Sequence, residues 1–145
     1  MNTKDILEFS GEYRWLSNFY PCVVELDGVQ YPSTENAYQA AKTLIIRERK
    51  DFPNVSAAHS KKMGKLVTKR KDWDSVKLSV MQDLLWQKFT QDRFKELLLK
   101  TGNTKIIEGN TWGDVYWGVC DGKGKNHLGV SIMKIRTALQ TGLSF

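Results

Sequence analysis

The sequence predicts a mainly helical α+β fold with a small β-hairpin ahead of a series of helices. Asp27-Gly28, a strong tight-turn signal, lies between two short apolar segments and predicts the hairpin. Apolar residues recur at three- and four-residue spacing in several later segments, which predicts amphipathic helices. The 145 residues suit one globular unit, so we expect a single domain over residues 1–145.

Turn and cap residues place the individual elements. Ser33 or Thr34 can cap the first helix, Pro53 interrupts the chain after it, and Gly102 is suited to end a later helix. Residues 109–126, with five glycines, are predicted as a long functional loop. The predicted elements in chain order are a strand at 6–9, hairpin strands at 22–26 and 29–31, helices at 34–48, 56–67, 75–89 and 91–100, a strand at 105–108, and a helix from about 126 onward.

The chain is basic, with a net charge of +6 and a pI of about 9.3. A positive field raises the local concentration of anionic partners such as phosphorylated metabolites, nucleotides and nucleic acids. Much of the charge lies in residues 61–77, the basic strip, where seven lysines and arginines accompany two aspartates. A solvated face that only keeps the protein soluble is the alternative interpretation.

The composition argues against a disulfide framework, a metal site and a membrane span. The cysteines, Cys22 and Cys120, are far apart in sequence, and there are only two histidines. No segment approaches the roughly 20 apolar residues of a membrane helix, and the first residues lack the apolar run of a signal peptide. We therefore expect a cytoplasmic protein without metal, cofactor or membrane contact.

Three polar residues of the first predicted helix share one face. Glu35, Gln39 and Lys42 are four and three residues apart, so a carboxylate, an amide and an ammonium lie along one stripe. Such a stripe can form one wall of a catalytic site. The simpler alternative is an exposed Glu–Lys stripe in which Glu35 complements the helix dipole.

The segment 109–118 combines aromatic residues with glycines. Glycines let the backbone approach a ligand closely, aromatic faces can stack on a flat base, and Asp114 can hydrogen-bond a ribose or activate water. The alternative is that Trp112, Tyr116 and Trp117 cap the core while the glycines make turns.

Two other features are compatible with a nucleotide ligand. Trp73 follows a basic run, which suits base stacking beside a phosphate and equally suits a core anchor at the start of a helix. Residues 121–129 lead into the last helix, whose amino terminus can attract an anion. They lack the Gly-Lys-Ser/Thr signature of a phosphate loop, so a plain loop is the simpler interpretation.

Taken together and in order, these motifs resemble the NADAR family, also called YbiA-like. The resemblance runs from about residue 9 to residue 139, nearly the whole chain. The motifs that carry it are Leu16–Phe19, Tyr31–Lys42, Lys71–Trp73, Asp114–Gly118 and Gly124–Gly129, followed by Met133 and Arg136.

The resemblance implies an N-glycosidase, an enzyme that cleaves the bond between a ribose carbon and a nitrogen, on a compact, mostly helical α+β domain. It implies two substrate classes: ADP-ribose attached to guanine in nucleic acid, which the positive charge favours, and early riboflavin-pathway ribosylaminopyrimidine phosphates. An ADP-ribosylated nucleic acid or an ADP-ribose-type nucleotide is the expected partner. A non-catalytic module that binds ADP-ribose or nucleic acid is the alternative from another class.

The resemblance also implies the site residues. The family's catalytic glutamate falls on Glu35, and its functional tryptophan and aspartate fall on Trp73 and Asp114. Glu35 would stabilise the positive charge that develops on the sugar and accept a proton from water. The expected substrate-binding residues are Asn18, Phe19, Gln39, Lys42, Arg70, Trp117, Gly118 and Asn126.

Overall fold

The computed structural model describes residues 4–142. Their packing divides the chain into two compact units: the central unit, Asn18–Lys88, and the terminal unit, whose described residues are 4–17 and 89–142. The predicted mainly helical α+β class is confirmed, whereas the single domain over residues 1–145 stays a prediction. No helix within residues 4–142 is long and apolar enough to cross a membrane.

The central unit begins with the predicted hairpin. Strands β1 (Pro21–Leu26) and β2 (Val29–Ser33) pair antiparallel, and Leu26 lies opposite Val29 across the turn. Both turn residues, Asp27 and Gly28, have positive φ, as a two-residue hairpin turn requires. The inward residues of β1, Cys22 and Val24, alternate with exposed ones, so one face of the hairpin is buried.

Helix α1 (Thr34–Ala41) starts directly after β2. Ser33 is the N-cap, and its hydroxyl accepts the backbone N–H of Asn36 at 3.1 Å. All eight residues of α1 are buried. The hairpin therefore leads directly into a helix that is wholly buried in the central unit.

The predicted helix over 34–48 is wrong in length, because α1 ends at Ala41 and a separate short helix, α2, covers Ile46–Arg49. The carbonyl of Lys42 accepts the backbone N–H of Arg70 at 2.7 Å, and the carbonyl of Thr43 accepts Nε of Arg49 at 2.7 Å. A continuous helix would need both carbonyls for its own ladder. The Thr43 hydroxyl also caps the N–H of Ile45, which holds the break.

Two more helices complete the central unit. Helix α3 (Ala57–Met63) is capped by Ser56 as predicted, but it ends four residues earlier than predicted. Helix α4 (Trp73–Phe89) starts two residues earlier than predicted, at Trp73 itself. A 3₁₀ turn at Phe52–Asn54 connects α2 to α3 and buries Phe52 completely.

The terminal unit contains a 3₁₀ helix (Gly11–Leu16), α5 (Asp92–Lys100) and α6 (His127–Thr141). The predicted strands at 6–9 and 105–108 are each reduced to a single parallel bridge, Ile6 with Ile106. In the core of the terminal unit, the rings of Trp15 and Phe89 pack edge to face with their centroids 6.4 Å apart. Its most buried apolar residues are Ile6, Leu16, Phe89, Phe94, Leu98, Ile106, Ile132 and Ile135.

Candidate active site

Glu35 lies in the first turn of α1 and is 6% exposed. Its Oε2 accepts a 2.7 Å hydrogen bond from Nε2 of Gln39, which is 4% exposed. The backbone N–H of Glu35 donates to the carbonyl of Asn18 at 3.0 Å, which fixes the residue from the other side. The stripe predicted from the spacing exists, but the interpretation of it as an exposed Glu–Lys face is wrong. Because burying a carboxylate is costly, one held inside the unit by a side-chain amide is a candidate for a reaction centre.

Three buried polar side-chain atoms on α1 or on Asn18, whose carbonyl bonds to α1, have no hydrogen-bond partner within residues 4–142. They are Oδ1 of Asn18, Oγ1 of Thr34 and Oε1 of Gln39. Asn18 is 8% exposed, and its amide nitrogen donates to the thioether sulfur of Met81 at 3.5 Å. Buried polar groups are nearly always paired, and the unpaired Oε1 belongs to the amide that holds Glu35, which makes this region a candidate site for a polar ligand.

Lys42 follows α1 and brings positive charge to the same region. Burial lowers the pKa of its ammonium, the negative charge of Glu35 opposes that shift, and the charges of Lys69, Lys61 and Lys65 add to it. One carboxylate and three further ammonium groups therefore lie within electrostatic reach of Lys42. We call Lys42, Lys61, Lys65 and Lys69 the lysine cluster. The basic strip is thus not only a solvated face, because three of its lysines act electrostatically on the half-buried Lys42.

Trp73 is 4% exposed and packs on Tyr38 of α1, with ring centroids 5.2 Å apart. The Nζ of Lys42 lies 5.7 Å from the centroid of the same tyrosine ring. Phe19 differs from Trp73 in being 42% exposed, with Nζ of Lys61 5.9 Å from its ring. Trp73 is thus a packing residue at the start of α4, whereas Phe19 is a partly exposed aromatic residue next to the Lys61 ammonium.

The guanidinium of Arg70 forms a two-point ion pair with Asp72. Nε contacts Oδ1 at 2.6 Å and the second nitrogen contacts Oδ2 at 3.0 Å. The hydrogen bond to Asp72 raises the pKa of Arg70. Any phosphate that Arg70 binds would compete with this carboxylate, so the lysine cluster is the stronger candidate for an anion site.

The remaining predicted residues lie in the terminal unit. Oδ1 of Asp114 accepts the backbone N–H groups of Tyr116 and Trp117, at 3.1 and 2.9 Å. The backbone of Asp114 is held in turn by Asn110, whose Oδ1 accepts the Asp114 N–H at 3.0 Å. These contacts give Asp114 a conformational role in the loop, and its catalytic role stays a prediction.

The amino terminus of α6 is occupied by the glycine-containing loop. The N–H groups of Lys125, Asn126, His127 and Leu128 donate to the carbonyls of residues 115, 118, 116 and 117. The side chain of Asn126 spans the backbone of residues 106 and 108. Gly118 is buried, and Trp117 packs edge to face on Tyr116. Anion binding at this helix end is thus disfavoured, and substrate-binding roles for Trp117, Gly118 and Asn126 stay predictions.

Three residues that adjoin Glu35 in the chain or lie within electrostatic reach of Lys42 were not predicted from the sequence as site residues. Lys61 and Lys65 belonged to the basic strip without being singled out, and Thr34 was considered only as a helix cap. The spacing of Lys61 and Lys65, four apart on a helical segment, was the available signal for a shared face. No pattern in the sequence marks Thr34 as an unpaired buried hydroxyl.

A buried carboxylate with an amide donor and a surrounding lysine cluster, on a mainly helical α+β fold, defines a candidate hydrolase of anionic substrates. A sequence model of the NADAR domain matches residues 7–140. The chain therefore belongs to the NADAR family, as the resemblance of its motifs implied.

Named relatives define the enzyme class more closely. The chain is 38% identical over 135 residues to N-glycosidase YbiA of Escherichia coli, an alignment covering 90% of this chain and 84% of YbiA. It is 33% identical over 140 residues to N-glycosidase Npun_R5314 of Nostoc punctiforme, with 91% and 89% covered. These relatives confirm the predicted class, N-glycosidase.

Two further comparisons bear on fold and substrate. The NMR structure of E. coli YbiA matches with a TM-score of 0.83 and 35% identity, covering 97% of this chain and 89% of that chain. The riboflavin biosynthesis protein VVA0006 of Vibrio vulnificus is 34% identical over 131 residues, 87% of this chain but 35% of that protein. The structural match confirms the predicted YbiA-like fold.

Proposed function

We propose that this N-glycosidase removes ADP-ribose from ADP-ribosylated guanine in nucleic acid, with Glu35 as the catalytic carboxylate. The observation that carries the proposal is the buried Glu35–Gln39 pair next to the lysine cluster. A carboxylate alone would repel an anionic substrate, whereas the cluster offsets its charge and attracts phosphate oxygens. The arrangement therefore suits a sugar carbon at Glu35 and a pyrophosphate at the lysines.

The chemistry needs no group beyond the chain and water. As the bond between the ribose carbon and the base nitrogen breaks, its electron pair leaves with the base and positive charge develops on the sugar. The carboxylate of Glu35 stabilises that charge and takes a proton from the water whose oxygen bonds to the sugar carbon. The departing base gains a proton, and Lys42 is the candidate donor because burial makes its ammonium a stronger acid.

Exposed residues of the lysine cluster favour a nucleic-acid substrate. Lys65 and Lys69 are exposed and Phe19 is 42% exposed, so charge and an aromatic face lie where a nucleic-acid strand can reach them. Binding that depends on these lysines should weaken steeply with added salt, because each phosphate contact releases counterions.

A ribosylaminopyrimidine phosphate is the second candidate substrate, and the relationship to the riboflavin biosynthesis protein VVA0006 favours it. Such a metabolite carries the same N-glycosidic bond and one phosphate, so Glu35 and the lysine cluster would serve it in the same way. The two candidates differ in what lies beyond the sugar. A metabolite has no strand to lie on Phe19 and the exposed lysines.

The test offers both substrates side by side, with products separated by HPLC and identified by mass spectrometry. We expect wild type to release ADP-ribose from modified DNA and Glu35→Gln to slow this by about 10³-fold. Glu96→Gln, at an exposed glutamate of α5, is the matched control and should act as wild type. Loss of base from the metabolite alone would transfer the proposal to the second candidate. Full activity of Glu35→Gln would refute the role of Glu35, and ADP-ribose binding without turnover would favour a binding module.

A further inference from the structure

Gly64, the residue that ends α3, lies against the side chain of Gln39. A Cβ added to Gly64 would overlap Oε1 of Gln39 and would lie 2.8 Å from its Cδ and 3.3 Å from its Cβ. All three of the nearest atoms to that position belong to this one side chain. The Gln39 carboxamide thus occupies the space that any other residue at position 64 would fill.

The backbone gives no reason for a glycine at this position. Gly64 has φ −60° and ψ −20°, ordinary right-handed helical values, and its N–H bonds to the carbonyl of Ser60 at 2.9 Å. Alanine adopts this conformation more readily than glycine does. The glycine is therefore explained by space and not by conformational freedom, unlike Gly28, whose φ of 82° needs it.

The contact bears directly on the catalytic pair. Gln39 has one amide with two ends: Nε2 donates to Glu35 at 2.7 Å, and Oε1 lies against Gly64 without a donor from residues 4–142. Because the two ends are joined by a rigid planar group, an atom that displaces Oε1 also moves Nε2. The space at Gly64 therefore determines where the Gln39 amide lies, and with it the hydrogen bond to Glu35.

We infer that Gly64 is a positioning residue of the active site: the absence of a side chain there lets the Gln39 carboxamide hold the Glu35 carboxylate. This inference rests on the proposed catalytic role of Glu35. An alanine at position 64 would push the amide away and remove the Gln39 hydrogen bond from the carboxylate. With one donor fewer the charged form of Glu35 is less favoured, so it would ionise at higher pH and stabilise the sugar cation less well.

The test compares Gly64→Ala, Gln39→Ala and the double variant on whichever substrate wild type turns over. We expect Gly64→Ala to lower kcat by about 10-fold to 100-fold, with KM little changed, since a bond to a charged group is lost. The acid limb of its pH–rate profile should move to higher pH, as should the Glu35 carboxyl titration followed by ¹³C NMR. Gly64→Ala should add nothing to the effect of Gln39→Ala. Leu66→Ala, at a residue 85% exposed just beyond, is the matched control and should match wild type.

The possible failures are distinct. Wild-type turnover and titration in Gly64→Ala would overturn the inference, and so would an added loss in the double variant, since Gly64 would then act independently of Gln39. An inactive Glu35→Gln together with a fully active Gln39→Ala would also overturn it while leaving the proposed function standing. Full activity of Glu35→Gln would overturn both. If Gly64→Ala fails to fold, a folded double variant with the kcat of Gln39→Ala supports the inference, and an unfolded one overturns it.

Discussion

One carboxylate oxygen of Asp114 accepts two backbone hydrogen bonds, and an asparagine side chain can accept the same two. The bonds, from Tyr116 at 3.1 Å and Trp117 at 2.9 Å, hold the turn that enters the loop. A bond to a charged acceptor contributes about 1.5–3 kcal/mol when buried. Because Asp114 is only partly buried, water replaces some of that, and we take about 1 kcal/mol for each bond.

This gives a graded prediction for two variants. Asp114→Ala loses both bonds and should lower the free energy of unfolding by about 2 kcal/mol, which lowers the melting temperature by about 4–8 °C. Asp114→Asn keeps both acceptor positions and should lose less than about 1 kcal/mol. If the role of Asp114 is conformational, Asp114→Asn should also keep turnover within about threefold of wild type, whereas a proton-transfer role would lose about 100-fold or more.

The assay pairs thermal unfolding with single-turnover kinetics of both variants. The expected order of stability is wild type, then Asp114→Asn, then Asp114→Ala, with activity following the same order. A stable Asp114→Asn that has lost nearly all turnover would refute the conformational reasoning and support the catalytic carboxylate predicted from the sequence.

Two further predictions concern residues next to Glu35. Lys42→Met should raise the melting temperature at pH 7, because a lysine whose pKa is lowered by burial destabilises the fold below that pKa. In a series of thermal melts, this gain in melting temperature should shrink as the pH rises toward 10.5, the ordinary pKa of lysine. Turnover of Lys42→Met should fall at least about tenfold. A melting temperature equal to that of wild type at every pH would contradict the burial of the charge. Trp73→Ala should lower the free energy of unfolding, measured in urea, by about 3–5 kcal/mol, because Trp73 is buried against Tyr38. Trp73→Phe should keep turnover within about threefold of wild type. A stable but inactive Trp73→Phe would show a role beyond packing.

The sequence predicts those parts of the fold whose signals are local. Asp27-Gly28 determines the hairpin because only a few residues accept the positive φ of such a turn. Ser56 is the N-cap as predicted, and Ser33 is the N-cap of the two candidates Ser33 and Thr34, because a short hydroxyl side chain satisfies amides that the helix itself leaves unpaired. Signals of this kind need no knowledge of distant residues.

The break in the predicted first helix could not be predicted in the same way. It depends on Arg70 and Arg49 taking the carbonyls of Lys42 and Thr43, and Arg70 is 28 residues away in sequence from the carbonyl it binds. Apolar Leu44 continues the helical spacing yet is 59% exposed. Periodicity alone therefore extended the helix past a point where tertiary hydrogen bonds end it.

The candidate site shows the same division. The spacing of Glu35 and Gln39 predicted that they share a face, but their burial follows from how much of α1 the unit covers, which no spacing reveals. The position of Gly64 against Gln39 is likewise a contact between helices. No sequence signal marks this contact, because a glycine at a helix end is ordinarily explained as a C-terminal cap.

The carbonyls of residues 115–118 all accept N–H groups at the start of α6, so this part of the long loop cannot accept added residues. The tip of the loop differs in this respect. A single residue inserted within 115–118 would put every following carbonyl out of step with the helix amides. At the tip, Cys120 and Lys123 exchange backbone hydrogen bonds of 2.8 and 3.0 Å around the exposed pair Asp121-Gly122, and these bonds do not involve α6. Insertion of an epitope or a reporter domain is tolerated best at such closed, exposed turns. The bond between Asp121 and Gly122 is therefore the place where this loop can be opened for labelling without disturbing the helix that follows.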